Sequence, residues 1–215
     1  TAFVGDATTG STAISSGFDG NGRVVEAFDS IANGGRRYTY TYTGGLLTSV
    51  AADICSSGDW SAPGTVTEVG RVEYTYYGAS ESYGSDGDLK TVTVTKPTNE
   101  SGQDLVTKKY YRYWTGSYSA NFNPGHPSAL QYIVESEGYR QADYDDSTFN
   151  DTPLSMSETA LKPYAAAYFE YNASRQVNEA WFNGRCGCSG ASNGVHTITY
   201  GTAGSEASPY DDAWK

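Results

Sequence analysis

Short segments in which aromatic and polar residues alternate dominate the pattern of hydrophobic and polar positions along the chain. They recur in RRYTYTYTGGLLTSV, VEYTYYG and KKYYRYWTG. Because successive side chains of a strand point to opposite faces, each segment places its rings on one face of a sheet. We expect these rings to stack into cross-strand ladders, worth about 0.2–1 kcal/mol for each pair. The tyrosines concerned are Tyr38, Tyr40 and Tyr42, then Tyr74 and Tyr76, then Tyr111 and Tyr113.

A turn that contains Gly or Asx follows each of these segments and leads into a second alternating segment. The return segments LLTSV and DLKTVTV alternate imperfectly. The sequence therefore does not decide which of their two faces points inward, because a shift of one residue exchanges them. Helix-permissive residues run from Ser155 to Leu161, with Ser155 or Ser157 as the N-cap and Pro163 as the stop. The pattern predicts a single all-β domain over residues 1–215. We expect repeated antiparallel β-hairpins in an extended or spiralling sheet, with at most one short helix.

Composition agrees with a folded sheet protein and limits its partners. Nineteen Tyr and 25 Gly in 215 residues suit pleated strands joined by tight turns. The net charge of −11, without long runs of Lys or Arg, argues against a nucleic-acid partner and leaves cations or glycans as contacts. The sequence has no stretch of about 20 apolar residues, so we predict no insertion into a membrane. The chain begins at Thr1, so we expect either a removed leader or a piece of a longer polypeptide.

Three cysteines, Cys55, Cys186 and Cys188, leave one thiol over after any pairing within the chain. Cys55 could pair with either of the others, and the odd thiol could pair between chains. The alternative is a metal or redox site at Cys186-Gly-Cys188, but three thiols with His126 and His196 make a poor zinc set. We predict a structural disulfide and no cofactor.

Acidic side chains raise two chemical interpretations, calcium binding and glycoside hydrolysis. No acidic segment has the EF-hand spacing, and hairpin turns use the same residues for backbone reasons, which we favour. A glycosidase needs two carboxylates about 5–9 Å apart across a cleft, and the available glutamates fall on predicted strands. Neither His126 nor His196 accompanies a G-x-S-x-G motif, so we expect no catalytic residues. The calcium candidates are Asp143, Asp145, Asp146 and Asp151, and the glutamates are Glu135, Glu137, Glu170 and Glu179.

Tryptophans offer a third chemistry, the stacking of flat rings on sugars. Trp114 and Trp181 fall within predicted strands, so we expect them in the core. Trp60 falls in a loop and Trp214 near the end of the chain, where both could be exposed to a glycan.

The segment FDGNGRVVEA resembles the YD repeat of the RHS proteins, in which an aromatic-Asp pair precedes a spacer, Gly-Arg and a strand. Asp19, Gly22 and Arg23 match that pattern, and Phe18 stands where Tyr is usual. Two further segments, YNASRQVNEA from Tyr171 and YTGGLLTSV from Tyr42, resemble degraded copies. The anchor aromatics of successive units would be Phe18, Tyr42, Tyr77, Tyr113, Tyr171 and Tyr200.

The resemblance implies a long, spiralling β-sheet without enzymatic activity over most of its length. The Pro-rich self-cleavage signature of toxin-bearing members is not found in this sequence, so toxin processing does not carry over. VHTITYG, from Val195, reads as the start of another unit, and open sheet edges recruit strands. We therefore expect self-association or continuation of the same polypeptide. The predicted function is an extracellular or cell-surface scaffold, part of a shell or filament; the alternative is an adhesion or glycan-binding module.

Overall fold

The structure, a computed structural model, describes residues 2–3, 14–29, 34–98, 104–145, 152–182 and 194–197. Antiparallel strands account for most of them, and neighbours in the sheet are neighbours in the sequence. The all-β prediction is confirmed. The strands are β1 (Ala2–Phe3), β2 (Ile14–Phe18), β3 (Val24–Phe28), β4 (Arg37–Thr43), β5 (Leu46–Cys55), β6 (Val66–Tyr76), β7 (Leu89–Lys96), β8 (Leu105–Tyr113), β9 (Leu130–Val134), β10 (Ala167–Tyr171), β11 (Val177–Phe182) and β12 (Gly194–Thr197).

Contacts within the chain divide it into two compact units. The first unit comprises Thr1–Ser80 and Asp86–Tyr110, and therefore contains β1 to β7 and most of β8. The second comprises Glu81–Ser85 and Tyr111–Lys215, with the end of β8 and β9 to β12. Folding of residues 1–215 as a single domain stays a prediction.

The tyrosines of β4 and β6 lie opposite aliphatic side chains rather than one another. Tyr40 of β4 lies opposite Val50 of β5, and Val50 in turn lies opposite Val72 of β6. Tyr74 of β6 lies opposite Val92 of β7. The predicted ladders of stacked tyrosines are therefore wrong for these strands. The physical reason is the strand order: an aliphatic return strand separates each tyrosine-bearing strand from the next, so a ring packs on an aliphatic side chain instead.

Two α-helices lie in the second unit, so the limit of one short helix is wrong. The helix α2 (Glu158–Leu161) is the predicted one, and the Ser157 side chain caps it by accepting the N–H of Ala160 at 3.3 Å. The helix α1 (Ser136–Asp145) was not predicted. Short 3₁₀ turns at Thr152–Leu154 and Lys162–Tyr164 flank α2.

The helix α1 forms in a segment whose apolar positions are few. Its buried residues, Tyr139 and Ala142, are three apart and so share one face. On the exposed face Arg140 donates to Glu137 at 2.8 Å, an i, i+3 ion pair that favours a helix. Among the described residues no helix has the length and apolar character needed to cross a bilayer.

Candidate functional site: the hairpin turns

The turn between β2 and β3 is organised by the carboxylate of Asp19. Its Oδ1 accepts the backbone N–H groups of Asn21 at 2.8 Å and Arg23 at 2.9 Å. Its Oδ2 accepts the Arg23 guanidinium, with Nε at 2.7 Å. The Arg23 N–H and then its side chain lower the pKa of Asp19. The acid of this segment is thus held by its own turn, and the turn geometry accounts for it without calcium.

The turn between β10 and β11 repeats this geometry with a neutral side chain. The Oδ1 atom of Asn172 accepts the N–H groups of Ser174 at 2.9 Å and Gln176 at 3.0 Å. Asn172 N–H donates to the Gln176 carbonyl at 2.9 Å, as Asp19 N–H does to the Arg23 carbonyl at 2.9 Å. Two segments that resemble one another in sequence therefore form the same backbone turn.

Five hairpins share one conformational feature just before the return strand. In each, a residue with positive φ lies two positions ahead of an aliphatic residue at the start of that strand. Three of these are glycines, but the other two carry side chains, which the left-handed region disfavours. The positive-φ residues, each with its aliphatic residue, are Gly22 with Val24, Gly45 with Leu47, Gly87 with Leu89, Ser128 with Leu130, and Arg175 with Val177.

A β-bulge accompanies the turn in four of the hairpins. The extra residue lies on the return strand, directly after the aliphatic residue that faces the last aromatic of the outgoing strand. The aromatics and their partners are Phe18 with Val24, Tyr42 with Leu47, Tyr76 with Leu89, and Tyr171 with Val177. The predicted anchor Tyr77 is therefore displaced by one residue from the position that matches, Tyr76.

Tyrosine hydroxyls join successive hairpins at this position. Tyr42 Oη donates to the carbonyl of Val24 at 3.0 Å, and Tyr76 Oη donates to that of Leu47 at 2.7 Å. In the second unit Tyr171 Oη donates to the carbonyl of Leu130 at 2.9 Å. Each acceptor belongs to the start of the preceding return strand. Phenols carry their proton at neutral pH, and desolvation raises the pKa of Tyr76 and Tyr171 further above the ordinary value of 10.

Arg23 adds a second link between the first two hairpins. Its guanidinium carbon lies 4.5 Å from the ring centre of Tyr42, the same tyrosine whose hydroxyl binds the Val24 carbonyl. The arginine of the FDGNGR segment thus closes its own turn and packs on the next hairpin. Of the other predicted structural residues, Tyr38 lies in β4, and Tyr111 and Tyr113 lie in β8.

An aromatic cluster lies on β9 to β11 in the second unit. The Tyr168 ring contacts those of Trp114, Tyr132 and Trp181 at centroid distances of 6.0, 4.8 and 5.4 Å. The Lys162 ammonium lies 3.2 Å from the Trp181 ring centre. Burial raises the pKa of Tyr132 to about 12 and also raises that of Tyr168. Trp114 is buried, as expected of a core tryptophan, and Trp181 is half-buried.

The glutamates considered for catalysis form two separate pairs. Glu170 lies opposite Glu179 across β10 and β11, but Glu170 accepts the Tyr168 hydroxyl at 2.9 Å and Glu179 accepts the Trp181 Nε1–H. Both are therefore engaged with neighbouring aromatics.

Glu135 and Glu137 were expected on a strand, and that expectation is wrong. Glu135 directly precedes α1 and Glu137 lies within it, because the segment from Ser136 buries one helical face. Both line a cleft of about 300 Å³, together with Gln141 and Tyr164. The Glu137 carboxylate is already paired with Arg140.

The calcium candidates fall partly outside the described residues. Asp143 and Asp145 lie in the last turn of α1 rather than in a loop, and Asp145 accepts the Tyr164 hydroxyl at 2.8 Å. Asp146 and Asp151 are not among the described residues. Within the part of the chain that is described, no three His, Cys, Asp or Glu side chains are grouped as metal ligands.

The structure gives no support to a disulfide from Cys55. The residue is a free, buried thiol at the end of β5, with Sγ 3.6 Å from the Ser57 hydroxyl. Cys186 and Cys188 lie outside the described residues.

Trp60 is not an exposed sugar-stacking residue. It packs edge-on against Phe28 at 5.6 Å, under the guanidinium of Arg37 at 4.8 Å, and its Nε1–H donates to the Gly35 carbonyl at 2.8 Å. Trp214 lies outside the described residues.

Comparison with protein-family models, with curated proteins and with solved structures finds no match to this chain.

Proposed function

We propose that the chain is a non-enzymatic structural protein of the extracellular space or cell surface. It acts as a β-hairpin scaffold, part of a shell or filament, in which lateral strand pairing joins it to a second copy or to further hairpins. As part of this proposal, its hairpins are degenerate YD repeats like those of the RHS proteins. The observation that carries the proposal is the tyrosine hydroxyl that binds the carbonyl at the start of the preceding return strand.

This contact supports a scaffold because it is made in the same way by hairpins with different turns. The hairpin of Tyr42 closes through Gly44-Gly45, whereas that of Tyr76 has a longer connection, yet both bind the preceding hairpin alike. A unit that docks by backbone pairing and one hydroxyl can be added without limit, because it needs no specific side chain from its neighbour.

The relation to YD repeats is supported by what the motif does in the first hairpin. Asp19 orders the turn, Gly22 supplies the positive φ, and Arg23 links the acid to the ring of Tyr42. Asp19 and Gly22 of the pattern thus shape the turn, and Arg23 joins it to the next hairpin.

Sedimentation velocity of the 215-residue chain from about 1 to 100 µM, followed by electron microscopy, tests the proposal. We expect the weight-average mass to rise with concentration and rods or sheets to appear, because β1 and β12 are the outermost strands among the described residues and outermost strands can pair with further strands. A chain that stays monomeric throughout this range, without ordered particles, would contradict self-pairing.

Paired proline variants in the terminal strand distinguish pairing from general aggregation. Neighbouring residues of β12 direct their N–H groups alternately toward β11 and away from it, so Val195→Pro and His196→Pro remove different donors. One variant should lose stability, whereas the other should keep its thermal midpoint and lose assembly. If both variants are stable and assemble equally well, the contact between copies does not involve β12.

A further inference from the structure

The loop between β8 and β9 presents the most exposed large apolar side chain among the described residues. Phe122 is 90% exposed, whereas the next most exposed, Tyr144, is 66% exposed. The loop spans residues 114–129, far longer than the connection between β2 and β3, residues 19–23. An exposed aromatic indicates a binding site only if the loop that carries it is held in place.

Its base is fixed by close contacts within the loop and with the turn between β10 and β11. The indole of Trp114 lies so near Gly125 that a Cβ there would approach it to 1.9 Å, so only glycine fits. The His126 ring stacks on Tyr118 at 4.9 Å, and its Nε2 lies 2.8 Å from the carbonyl of Asn172. These contacts join the loop to the turn that Asn172 organises.

The tip is closed by hydrogen bonds of its own. Ser119 and Asn123 form an isolated antiparallel bridge, with N–H to carbonyl distances of 2.9 and 2.8 Å. The Asn123 Nδ2 group donates to the carbonyl of Ser117 at 2.8 Å. Phe122 therefore projects from a turn whose two ends are bonded, so it is presented in a defined place before any ligand binds.

The chemistry of the tip favours an uncharged, hydroxylated ligand. Residues 115–127 contain no Asp, Glu, Lys or Arg in a chain of net charge −11. Within residues 117–123 the exposed polar residues are Asn121 and Ser117, which carry an amide and a hydroxyl. Loops rich in Tyr, Ser, Gly and Asn combine rigid aromatic area with adaptable hydrogen bonding, as binding loops of antibodies do.

We infer that the tip at residues 117–123 binds a neutral carbohydrate. The Phe122 ring stacks on the apolar face of one sugar, and the flanking amide and hydroxyl groups bond its hydroxyls. A protein partner fits less well, because a stable protein interface buries about 800 Å² on each side around several apolar anchors, and this tip offers one. The site goes beyond a scaffold role, and it differs from Trp60 and Trp214, the residues that the sequence suggests for this chemistry.

An array of neutral oligosaccharides, with sialylated and sulfated glycans on the same surface, tests the site in the full chain. We expect binding to a subset of the neutral probes. Phe122→Ala should weaken it roughly tenfold, the factor that corresponds to losing about 1.4 kcal/mol, and Phe122→Trp should preserve or strengthen it. Leu105→Ala is the matched control, since Leu105 is 57% exposed and lies on β8 outside the loop.

Phe122 contributes little to packing, so Phe122→Ala should leave the thermal midpoint unchanged and report on binding alone. Binding that survives this substitution, binding confined to charged glycans, or no binding to any probe would each overturn the inference. Capture of a protein that Phe122→Ala abolishes, without any glycan bound, would assign the tip to a protein partner instead. If the chain is a monomer that binds neutral glycans, the scaffold proposal is contradicted and the inference of a glycan site at Phe122 is supported.

Discussion

Asp19 and Asn172 occupy equivalent places in two turns, yet only one of them can titrate. Both accept two backbone N–H groups through Oδ1. Asp19 gains in addition the guanidinium of Arg23, whereas Asn172 donates from Nδ2 to Gln176 Oε1 at 3.0 Å. The chain thus contains a charged and a neutral version of one turn, and their difference isolates the effect of the charge.

Acid should loosen the Asp19 turn and leave the Asn172 turn unchanged. The pKa of Asp19 lies below its ordinary value of 3.8, chiefly because the Arg23 N–H binds the carboxylate. A depressed folded-state pKa means that the stabilisation is complete above the unfolded value and is lost as pH falls through the folded one. Amide hydrogen exchange between pH 5 and 2 checks this. Protection at Asn21 and Arg23 should fall relative to Ser174 and Gln176, and parallel behaviour of both turns would contradict it.

Removal of a single linking hydroxyl should cost a measurable part of the stability. Tyr42→Phe and Tyr76→Phe each delete a hydrogen bond to a carbonyl of the preceding hairpin, and we expect a loss of about 0.5–1.5 kcal/mol in the free energy of unfolding. Tyr40→Phe is the control, since the described residues offer its hydroxyl no hydrogen-bond partner. Urea unfolding measures all three, and equal losses would show that the contacts contribute nothing specific.

At the scale of elements, the bulges explain why the return strands alternate imperfectly. In β7, Leu89 faces Tyr76 and Val92 faces Tyr74, because the extra residue Lys90 shifts the alternation by one. The same shift at Thr48 brings Leu47 and Val50 to the side of the β4 tyrosines. A strict period of two cannot describe such a strand, which is why the sequence alone does not decide which residues face inward.

Other elements were predictable only where a local signal is strong. The turns at Asp19 and Asn172 and the cap at Ser157 follow from side-chain chemistry that acts over a few residues. The helix α1 lacks such a signal, since it has few apolar residues and contains a glycine, and it depends on burial of Tyr139. The exposure of Phe122 depends on how Trp114 fixes the loop base, a contact that no short segment of sequence contains.

Glycine should be preferred at every left-handed turn position. Introducing it where a side chain is present should stabilise the protein, and removing it where it is present should destabilise the protein. Arg175 has φ 64°, so Arg175→Gly should stabilise the protein by up to about 1 kcal/mol. Gly22 has φ 77° and open space around it, so Gly22→Ala should destabilise by about 1–2 kcal/mol through backbone strain alone. Thermal unfolding compares them, and a shift of the same sign in both would refute equivalence of the turns.

At the scale of the whole molecule, the excess of acidic groups opposes contact between copies. A net charge of −11 on each chain repels another at low ionic strength, and salt screens that repulsion over about 10 Å at 0.1 M. Strand pairing itself depends on backbone groups and is insensitive to salt. Copies that associate through their strands should therefore do so more readily as salt increases.

Light scattering at fixed protein concentration in 10 to 500 mM sodium chloride checks this expectation. The mean mass should rise across that range for the native chain, and acidification toward the isoelectric point near 4.5 should act in the same direction. Association that weakens with salt would instead indicate ion pairs between copies. Binding of neutral sugars at Phe122 should not change over the same range, which separates the two activities.

The unequal connections between Tyr42 and Leu47, Tyr76 and Leu89, and Tyr113 and Leu130 show that this backbone accepts foreign sequence at one defined point. In the first two connections the last aromatic lies opposite the aliphatic residue that follows the left-handed glycine by two positions, although four residues intervene in one and twelve in the other. The short loops at Gly20-Asn21 and Ala173-Ser174 are therefore natural places for grafting peptides. A chain built in this way can acquire new recognition surfaces by insertion while its framework stays constant.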